Sequence, residues 1–338
     1  MWPELSSSKS RYIMGLDKVD ILENTIRRHN GLLGILLTDR TRTTATKTHN
    51  ILWATDSYDN HKPTDEINLD DVTGKNTYLI QPRIAKPKEE QKSRTRDKAE
   101  VFTPTSIVDE MNKQIDWSTG HWPANENNWQ DYIKELRLEI TCGEAPFIVN
   151  RYNAANGKKV LTLSERVGFL DRKLQTVSKF CNDKKSWLEW VTIAFECSYG
   201  YEWQGDNLLL ARENLLYTFI DYWNDKFPSD KINLERQVST EKLKILENIA
   251  TIISWNIFQM DGLKYVIPMS CKSTVAQPEI PPMLALLGEK PDKKAKKEQC
   301  PGCAKNDPFL HNGKYVRIMD WQKHKIIKFV NLLNNKKG

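Results

Sequence analysis

The 338-residue sequence has no long apolar run; LLGILL at 32–37, for example, is six residues. Crossing a bilayer takes roughly 20. The opening MWPELSSSKSRYIM lacks the apolar centre of a secretory signal, so the expected location is the cytoplasm. The six cysteines are too few and too irregularly spaced for a disulfide framework in a chain of this length. No Gly-x-x-x-x-Gly-Lys-[Ser/Thr] loop occurs, which removes the usual phosphate cradle and with it an NTPase reading. No convincing Asp…Glu-x-Lys arrangement points to a nuclease, and no segment repeats at a fixed period.

What is present fits a globular protein of two domains, or one domain with insertions. Hydrophobic residues make up 39% of the chain, and 50 basic residues against 44 acidic ones leave a net charge of +6. So mild an excess needs no explanation beyond solubility. It is unevenly placed, however. RIAKPKEEQKSRTRDKAE (83–100) and KPDKKAKKEQ (290–299) are both locally basic. They read as solvated linkers, with contact to a nucleic-acid backbone as the alternative.

Apolar spacing predicts a helix within 11–38 through Ile13, Leu16, Val19, Ile21, Leu22 and Ile26. Segment 39–80 is rich in Thr, Asp and Asn, with short β-like pieces such as NILWATD and NTYLIQP. VFTPTSIVDEMNKQID predicts a turn at Thr103-Pro104 and then a helix burying Ile107, Val108, Met111 and Ile115. A loop with Trp117, Trp122 and Trp129 follows, and a helical block over 164–196. SYGYEWQGDNLLLARENLLYTFIDYW (198–223) reads as strand, polar turn and helix, with Leu208, Ala211, Leu215, Phe219 and Trp223 on one face. A further helix and strand occupy 241–268. Strand–turn–helix units recurring in this way predict an α/β fold with a parallel sheet.

The stretch LEITCGEAPFIV (138–149) poses a sharper question. It reads as a buried strand, a glycine turn flanked by acids, and the start of a helix. In open α/β sheets ligands sit where strands end. Three such ends carry acids here: Glu139 with Glu144, Glu202, and Asp261. Singly, each acid is as well explained by helix capping and the helix dipole. As an ordered set they suit a nucleoside-containing cofactor, with a glycine for close approach and a carboxylate for ribose hydroxyls.

These residues resemble a known family. EVFTPTSIVDEM (100–111) is similar to the Phe-Thr-Pro motif of N6-adenine DNA methyltransferases of restriction–modification systems. LEITCGEAPFIV resembles their first S-adenosylmethionine motif, YGYEWQGDNLLLARENLL their second, and IFQMDGL their third. The group known as restriction endonuclease subunit M is similar also in RRHNGLL, LLTDRT and NILWATD. The resemblance implies a Rossmann-like methyltransferase fold binding S-adenosylmethionine. Phe102, Thr103 and Pro104 would line its methionine and adenine side. Glu139 would take the first acidic position, with Thr141 in the same turn, and Gly143 would admit the methionine portion. Glu202 would hold the ribose hydroxyls and Asp261 would accept from the adenine amine, with Trp203 and Leu263 flanking the ring. Two departures stand out. Glu144-Ala145 replaces the family's residue followed by a second glycine, and about 55 residues separate the first two motifs, which implies a helical insertion.

Family chemistry needs a flipped adenine whose amine is held by [Asn/Asp/Ser]-Pro-Pro-[Tyr/Phe/Trp]. The chain's only Pro-Pro lies in EIPPM (279–283), which supplies neither the polar side chain nor the stacking ring. The resemblance therefore implies the cofactor-binding part of an adenine-specific DNA methyltransferase, incomplete and inactive alone, with no catalytic residue to name. Expected partners are double-stranded DNA, a second chain carrying the catalytic and target-recognition parts, and a restriction endonuclease subunit. The alternative is a non-catalytic assembly or regulatory subunit that keeps the fold. The expected organisation is an accessory region at 1–82, a basic linker at 83–99 and a cofactor domain at 100–268 with a helical insertion at 151–197. A Cys/Lys-rich insertion at 269–314 and a strand/helix segment at 315–338 complete it. Within that insertion, Cys300 and Cys303 of CPGC, with Cys271 and His311, predict a structural zinc site. Cys142, Cys181 and Cys197 read as ordinary buried residues.

Overall fold

The computed structural model describes residues 25–98, 100, 103–275 and 297–337. Phe102, the EIPPM segment and the expected helical positions 11–24 lie outside them. In chain order come α1 (Asn30–Leu37), α2 (Leu69–Val72), α3 (Lys88–Lys98), α4 (Thr105–Thr119) and α5 (Trp129–Lys134). Then follow β1 (Arg137–Glu139), α6 (Phe169–Phe180), α7 (Lys184–Glu196), β2 (Ser198–Glu202), α8 (Gly205–Lys226), α9 (Thr240–Asn256) and β3 (Ile257–Gln259). The last part holds β4 (Thr274–Val275), β5 (Lys297–Glu298), α10 (Pro301–Lys305), β6 (Arg317–Asp320) and β7 (Lys325–Lys328).

β1, β2 and β3 form a parallel sheet in that order, with Arg137 opposite Ser198 and Glu202 opposite Gln259. Parallel neighbours need long crossovers, and both crossovers here are helical. α6 and α7 join β1 to β2, while α8 and α9 join β2 to β3. Local chemistry sets the helix limits. Asp183 and Ser239 cap α7 and α9 by accepting from the N–H groups of Ser186 and Lys242, and Gly120 ends α4 in the left-handed region at φ +75°. The fold class is thus α/β with a parallel sheet flanked by helices, compatible with a Rossmann-like arrangement.

Strand alternation gives the sheet two faces. Ile257 and Cys142 join the large core built on α1 and α6 to α9. Phe258 and Met260 join a smaller cluster with Tyr199, Tyr201, Ile318 and Phe329, supplied partly by the antiparallel β6–β7 hairpin. Gly200 faces the first of these. A Cβ there would lie 2.9 Å from Ile148 Cδ1 and 3.2 Å from Cys142 Sγ, so a side chain would push the 142–148 turn off the sheet.

α8 is the central helix. The expected face of Leu208, Ala211, Leu215, Phe219 and Trp223 is buried, and so are Arg212, Glu213 and Asn214 on its other sides. Their polar groups are met by the N-terminal region. Arg27 Nε and Nη2 donate to the two Glu213 carboxylate oxygens at 2.7 and 2.9 Å. Arg212 donates to the carbonyls of Ile257, Leu36, Thr38 and Ser254. Leu52 and the Gln259 side chain exchange two hydrogen bonds, each 2.8 Å long. Residues 26–80 therefore share one core with the sheet and its helices.

Four local expectations are corrected. The β-like pieces of 39–80 make only isolated bridges, Thr38 with Asn50 and Leu52 with Glu66. The stretch read as a solvated basic linker contains helix α3, pinned because Arg94 is buried against Glu100 and Asp206. On α4, Val108 is buried, but Ile107, Met111 and Ile115 are 44 to 47% exposed. Helical spacing placed these three on one stripe correctly, but among the described residues nothing packs over it. Beyond Gly143 there is a turn in place of a helix, with the N–H groups of Ile148 and Val149 both bonded to the Ala145 carbonyl.

Candidate functional site

At the carboxyl ends of β1 and β2 lies a cleft of about 660 Å³. Thr103, Glu139, Thr141, Gly143, Glu202 and Trp203 line it, so six of the sequence-predicted positions converge there. Pro104 does not line it and instead caps α4, its carbonyl accepting from the N–H groups of Ile107 and Val108.

The turn between the strands is tight. Thr141, Gly143 and Ala145 have φ of +47°, +53° and +64°. Only glycine adopts that region freely, and a β-branched threonine there is strained by about 1–2 kcal/mol. Strain of this kind persists where surrounding contacts enforce it. Here they do. Cys142 N–H donates to the Tyr201 carbonyl at 2.8 Å, and Gly143 N–H donates to Glu202 Oε2 at 2.8 Å. Glu139 accepts from the N–H groups of Phe147 and Ile148 at 3.3 and 3.1 Å, holding the far side of the same turn.

Both glutamates are buried. Burial pushes the Glu202 carboxyl up to about 6, against hydrogen bonds from the N–H groups of Gln204 and Gly143 that favour its ionised form. Burial pushes Glu139 well above the ordinary carboxylate range, more strongly than the Phe147 and Ile148 N–H groups lower it, and the Glu202 charge adds to the rise. Glu144, the other acid of the motif, is spent structurally. It accepts from Arg83 N–H at 2.7 Å and pairs closely with the Tyr152 hydroxyl.

Sequence reasoning missed several groups in the cleft. Asp97 and Glu100 bring two further carboxyls, and Arg96 a guanidinium that pairs with Asp97. Asn207, in the first turn of α8, has its side-chain oxygen buried with no hydrogen-bond partner among the described residues. Ala54 lines the cleft from the N-terminal region, and its carbonyl accepts from the Trp203 indole N–H at 3.0 Å. The turn residues in DNLLLAREN marked a helix start, but no spacing rule shows that its third residue is left unsatisfied.

Beside the cleft a buried charge cluster locks α3 to the start of α8. Arg94 donates to Glu100 at 2.7 Å and to Asp206 at 2.8 Å, and the Tyr58 hydroxyl donates to Asp206 at 2.9 Å. Burial alone would raise the Asp206 carboxyl, but Lys86 and Arg94 outweigh it and hold Asp206 below its ordinary value.

Asp261 and Leu263 are not among the residues lining this cleft. Asp261 Oδ1 accepts from the N–H groups of Leu263 and Lys264, and its other oxygen lies 3.2 Å from Lys264 Nζ, so the carboxylate closes its own turn. Leu263 is 88% exposed and borders a separate cavity with Cys271, Cys300, Cys303 and His311. The structure brings those four predicted ligands together, their donor atoms all within 4.8 Å of one another. Cys142, Cys181 and Cys197 are buried, as expected.

Comparison with family models, with curated proteins and with solved structures finds no match for this chain. No helix among the described residues is long and apolar enough to cross a membrane.

Proposed function

We propose that the cleft binds S-adenosylmethionine and that the chain is the cofactor-binding part of an adenine-specific DNA methyltransferase. One observation carries the reading: at the carboxyl ends of β1 and β2 the cleft gathers Glu139, Gly143 and Glu202 with the Asn207 side-chain oxygen, which has no hydrogen-bond partner among the described residues. The lining guanidinium, Arg96, is paired with Asp97, so the described lining offers acceptors and no unpaired cation, which suits a ligand bearing hydroxyls and positive charge better than one bearing phosphates. S-adenosylmethionine has a sulfonium and an ammonium and no phosphate. A phosphate-bearing dinucleotide, the other usual guest of such a sheet, finds no unpaired cation among the described lining residues.

In this reading Glu202 exchanges its bond with Gly143 N–H for the ribose hydroxyls, Gly143 admits the methionine portion, and Trp203 borders the base. The unpartnered oxygen of Asn207 accepts from a ligand N–H or hydroxyl. Asp261 and Leu263, which the resemblance assigned to the adenine, take no part without a rearrangement of their turn. Methyl transfer to a flipped adenine requires the [Asn/Asp/Ser]-Pro-Pro-aromatic tetrapeptide, which the 338 residues do not spell, so a further segment or chain supplies it together with target recognition.

Calorimetric titration with S-adenosylmethionine, with NAD as the phosphate-bearing control, tests the reading. The expected result is binding of the sulfonium compound alone, weakened about tenfold or more in Glu202→Ala, since loss of a hydrogen bond to a charged group costs about 1.5–3 kcal/mol. Binding of NAD in preference would overturn it. A second reading, a non-catalytic assembly subunit, is favoured by Leu136 and Ile140, both 64% exposed, flanking strand β1 beside the 41% exposed Leu138. It predicts association with a partner chain that is indifferent to Glu202→Ala.

A further inference from the structure

The cluster at Cys271, Cys300, Cys303 and His311 has a geometry that hydrogen bonding does not explain. The three sulfurs lie 3.6, 3.6 and 3.7 Å from one atom, His311 Nδ1. An imidazole nitrogen carries either one proton or one lone pair, so it can serve one sulfur and not three. Three sulfurs equidistant from one nitrogen make sense around a common centre. With zinc–sulfur bonds of about 2.3 Å and a zinc–nitrogen bond of about 2.0–2.1 Å, tetrahedral angles put sulfur and nitrogen about 3.6 Å apart. The observed separations are the edges of that tetrahedron.

The surroundings are built to the same centre. Gly302 sits inside the Cys-x-x-Cys turn, where a Cβ would lie 2.6 Å from both the backbone nitrogen and Nδ1 of His311. Only glycine lets the imidazole approach. At Gly313 a Cβ would come 2.7 Å from Ser270 Oγ and 3.0 Å from Cys271 Sγ. Asn312 N–H donates to Cys300 Sγ at 3.2 Å, the kind of outer contact that fixes a thiolate ligand. Cys300 and His311 are nearly inaccessible to solvent, and Cys271 and Cys303 are half-buried or more exposed.

We propose that Cys271, Cys300, Cys303 and His311 bind one zinc ion through three thiolates and Nδ1 of the imidazole. Four protein ligands complete a tetrahedron and leave no position for water or substrate, so the ion is structural. It joins three segments: the turn after Ile267, the short helix α10 and the loop leading to β6. The turn at Asp261–Val266 is bound into the same unit, since Val266 bridges to both Asp261 and Tyr315, and Ile267 N–H donates to the Lys314 carbonyl. The ion therefore braces the end of β3 from outside. This inference does not depend on the cofactor reading.

The test is metal analysis of the full chain purified without added metal and without chelator, followed by replacement with cobalt under reducing conditions. The expected result is one zinc per chain, and intense visible ligand-field bands from tetrahedral cobalt–thiolate coordination. Cys303→Ser is expected to weaken zinc binding by at least about tenfold, the lower bound set by loss of a mere supporting contact. Cys181→Ser, remote from the cluster, is expected to change nothing. Circular dichroism of Cys303→Ser with excess zinc accompanies the titration and separates lost binding from lost folding. A full-length, folded, reduced chain that takes up neither zinc nor cobalt overturns the proposal. So does iron–sulfur absorption in the purified protein, or a disulfide among the three cysteines that persists in the presence of zinc and reductant.

Discussion

The carboxylate of Glu202, at the end of β2, accepts a 2.8 Å hydrogen bond from the backbone N–H of Gly143, in the turn after β1. Two neighbouring strand ends are thereby tied by one buried acid whose carboxyl sits at about 6, above its ordinary 4.5. A raised folded value means that the folded chain holds the proton more tightly than the unfolded one. Its contribution to stability is full below about pH 4.5 and is lost as pH rises through about 6, at a cost of about 2 kcal/mol above that point. Glu202→Gln is expected to remove this slope. The variant should unfold at higher urea than the parent at pH 7.5, and the difference should close below pH 4.5. Parallel urea titrations at the two pH values check this, and an unchanged difference would count against it.

Asp206 and Arg94 offer a test of the opposite sign. Their 2.8 Å contact is buried on both sides. Removing one partner strands the other charge, at about 3–5 kcal/mol. Asp206→Asn and Arg94→Met should each destabilise by that order. The double variant should cost clearly less than the sum, because it leaves only Glu100 and Lys86 to rearrange. A double-mutant cycle by chemical denaturation measures the coupling.

Gly205 opens α8, where helix propensity alone would have alanine gain about 1 kcal/mol. Space decides otherwise. A Cβ there would lie 1.9 Å from the Leu52 carbonyl oxygen. Gly205→Ala is expected to destabilise by about 1–3 kcal/mol or more through overpacking. It should also separate the N-terminal region from α8, visible as faster amide exchange at Gly205, whose N–H donates to the Trp53 carbonyl.

Thr141→Gly is expected to stabilise. The threonine is exposed and left-handed, so glycine relieves about 1–2 kcal/mol of strain and loses little burial. For a chain of this size the midpoint should rise by about 1–3 °C, read by thermal scanning. The gain is reduced by the extra freedom of glycine in the unfolded chain, so a fall in the midpoint would show that the strain relieved is smaller than that entropic cost.

Some of this was legible in the sequence for plain reasons. The unit from Ser198 to Trp223 reads as strand, turn and helix because period-two and period-3.6 patterns meet at a polar turn, and the structure has β2 and α8 there. The Cys-x-x-Cys pair and His311 declare their chemistry by residue type. Other features depend on partners far away in the chain. Arg94 looks like one more charge in a basic stretch until Asp206, 112 residues on, is placed beside it. The stripe Ile107–Met111–Ile115 is visible as a stripe, but periodicity does not say what covers it. Asp261 looked like a ligand acid by its place after a strand, whereas its carboxylate closes the turn that follows. Strand-end acids serve both purposes, and only geometry separates them.

The paired hydrogen bonds between Leu52 and the Gln259 side chain have a consequence for how the sheet can grow. A side-chain amide presents the same donor and acceptor as a backbone peptide, so Leu52 meets the Gln259 side chain as it would meet a peptide of a neighbouring strand. Arg212 takes up the Ile257 carbonyl, so that backbone acceptor of β3 is already used by a side chain and is not offered to another ladder. On the opposite flank, β1 has β2 as its only strand neighbour among the described residues. An added strand would forgo that bond beside β3, so the flank beside Arg137–Glu139 is the better placed of the two to extend the sheet.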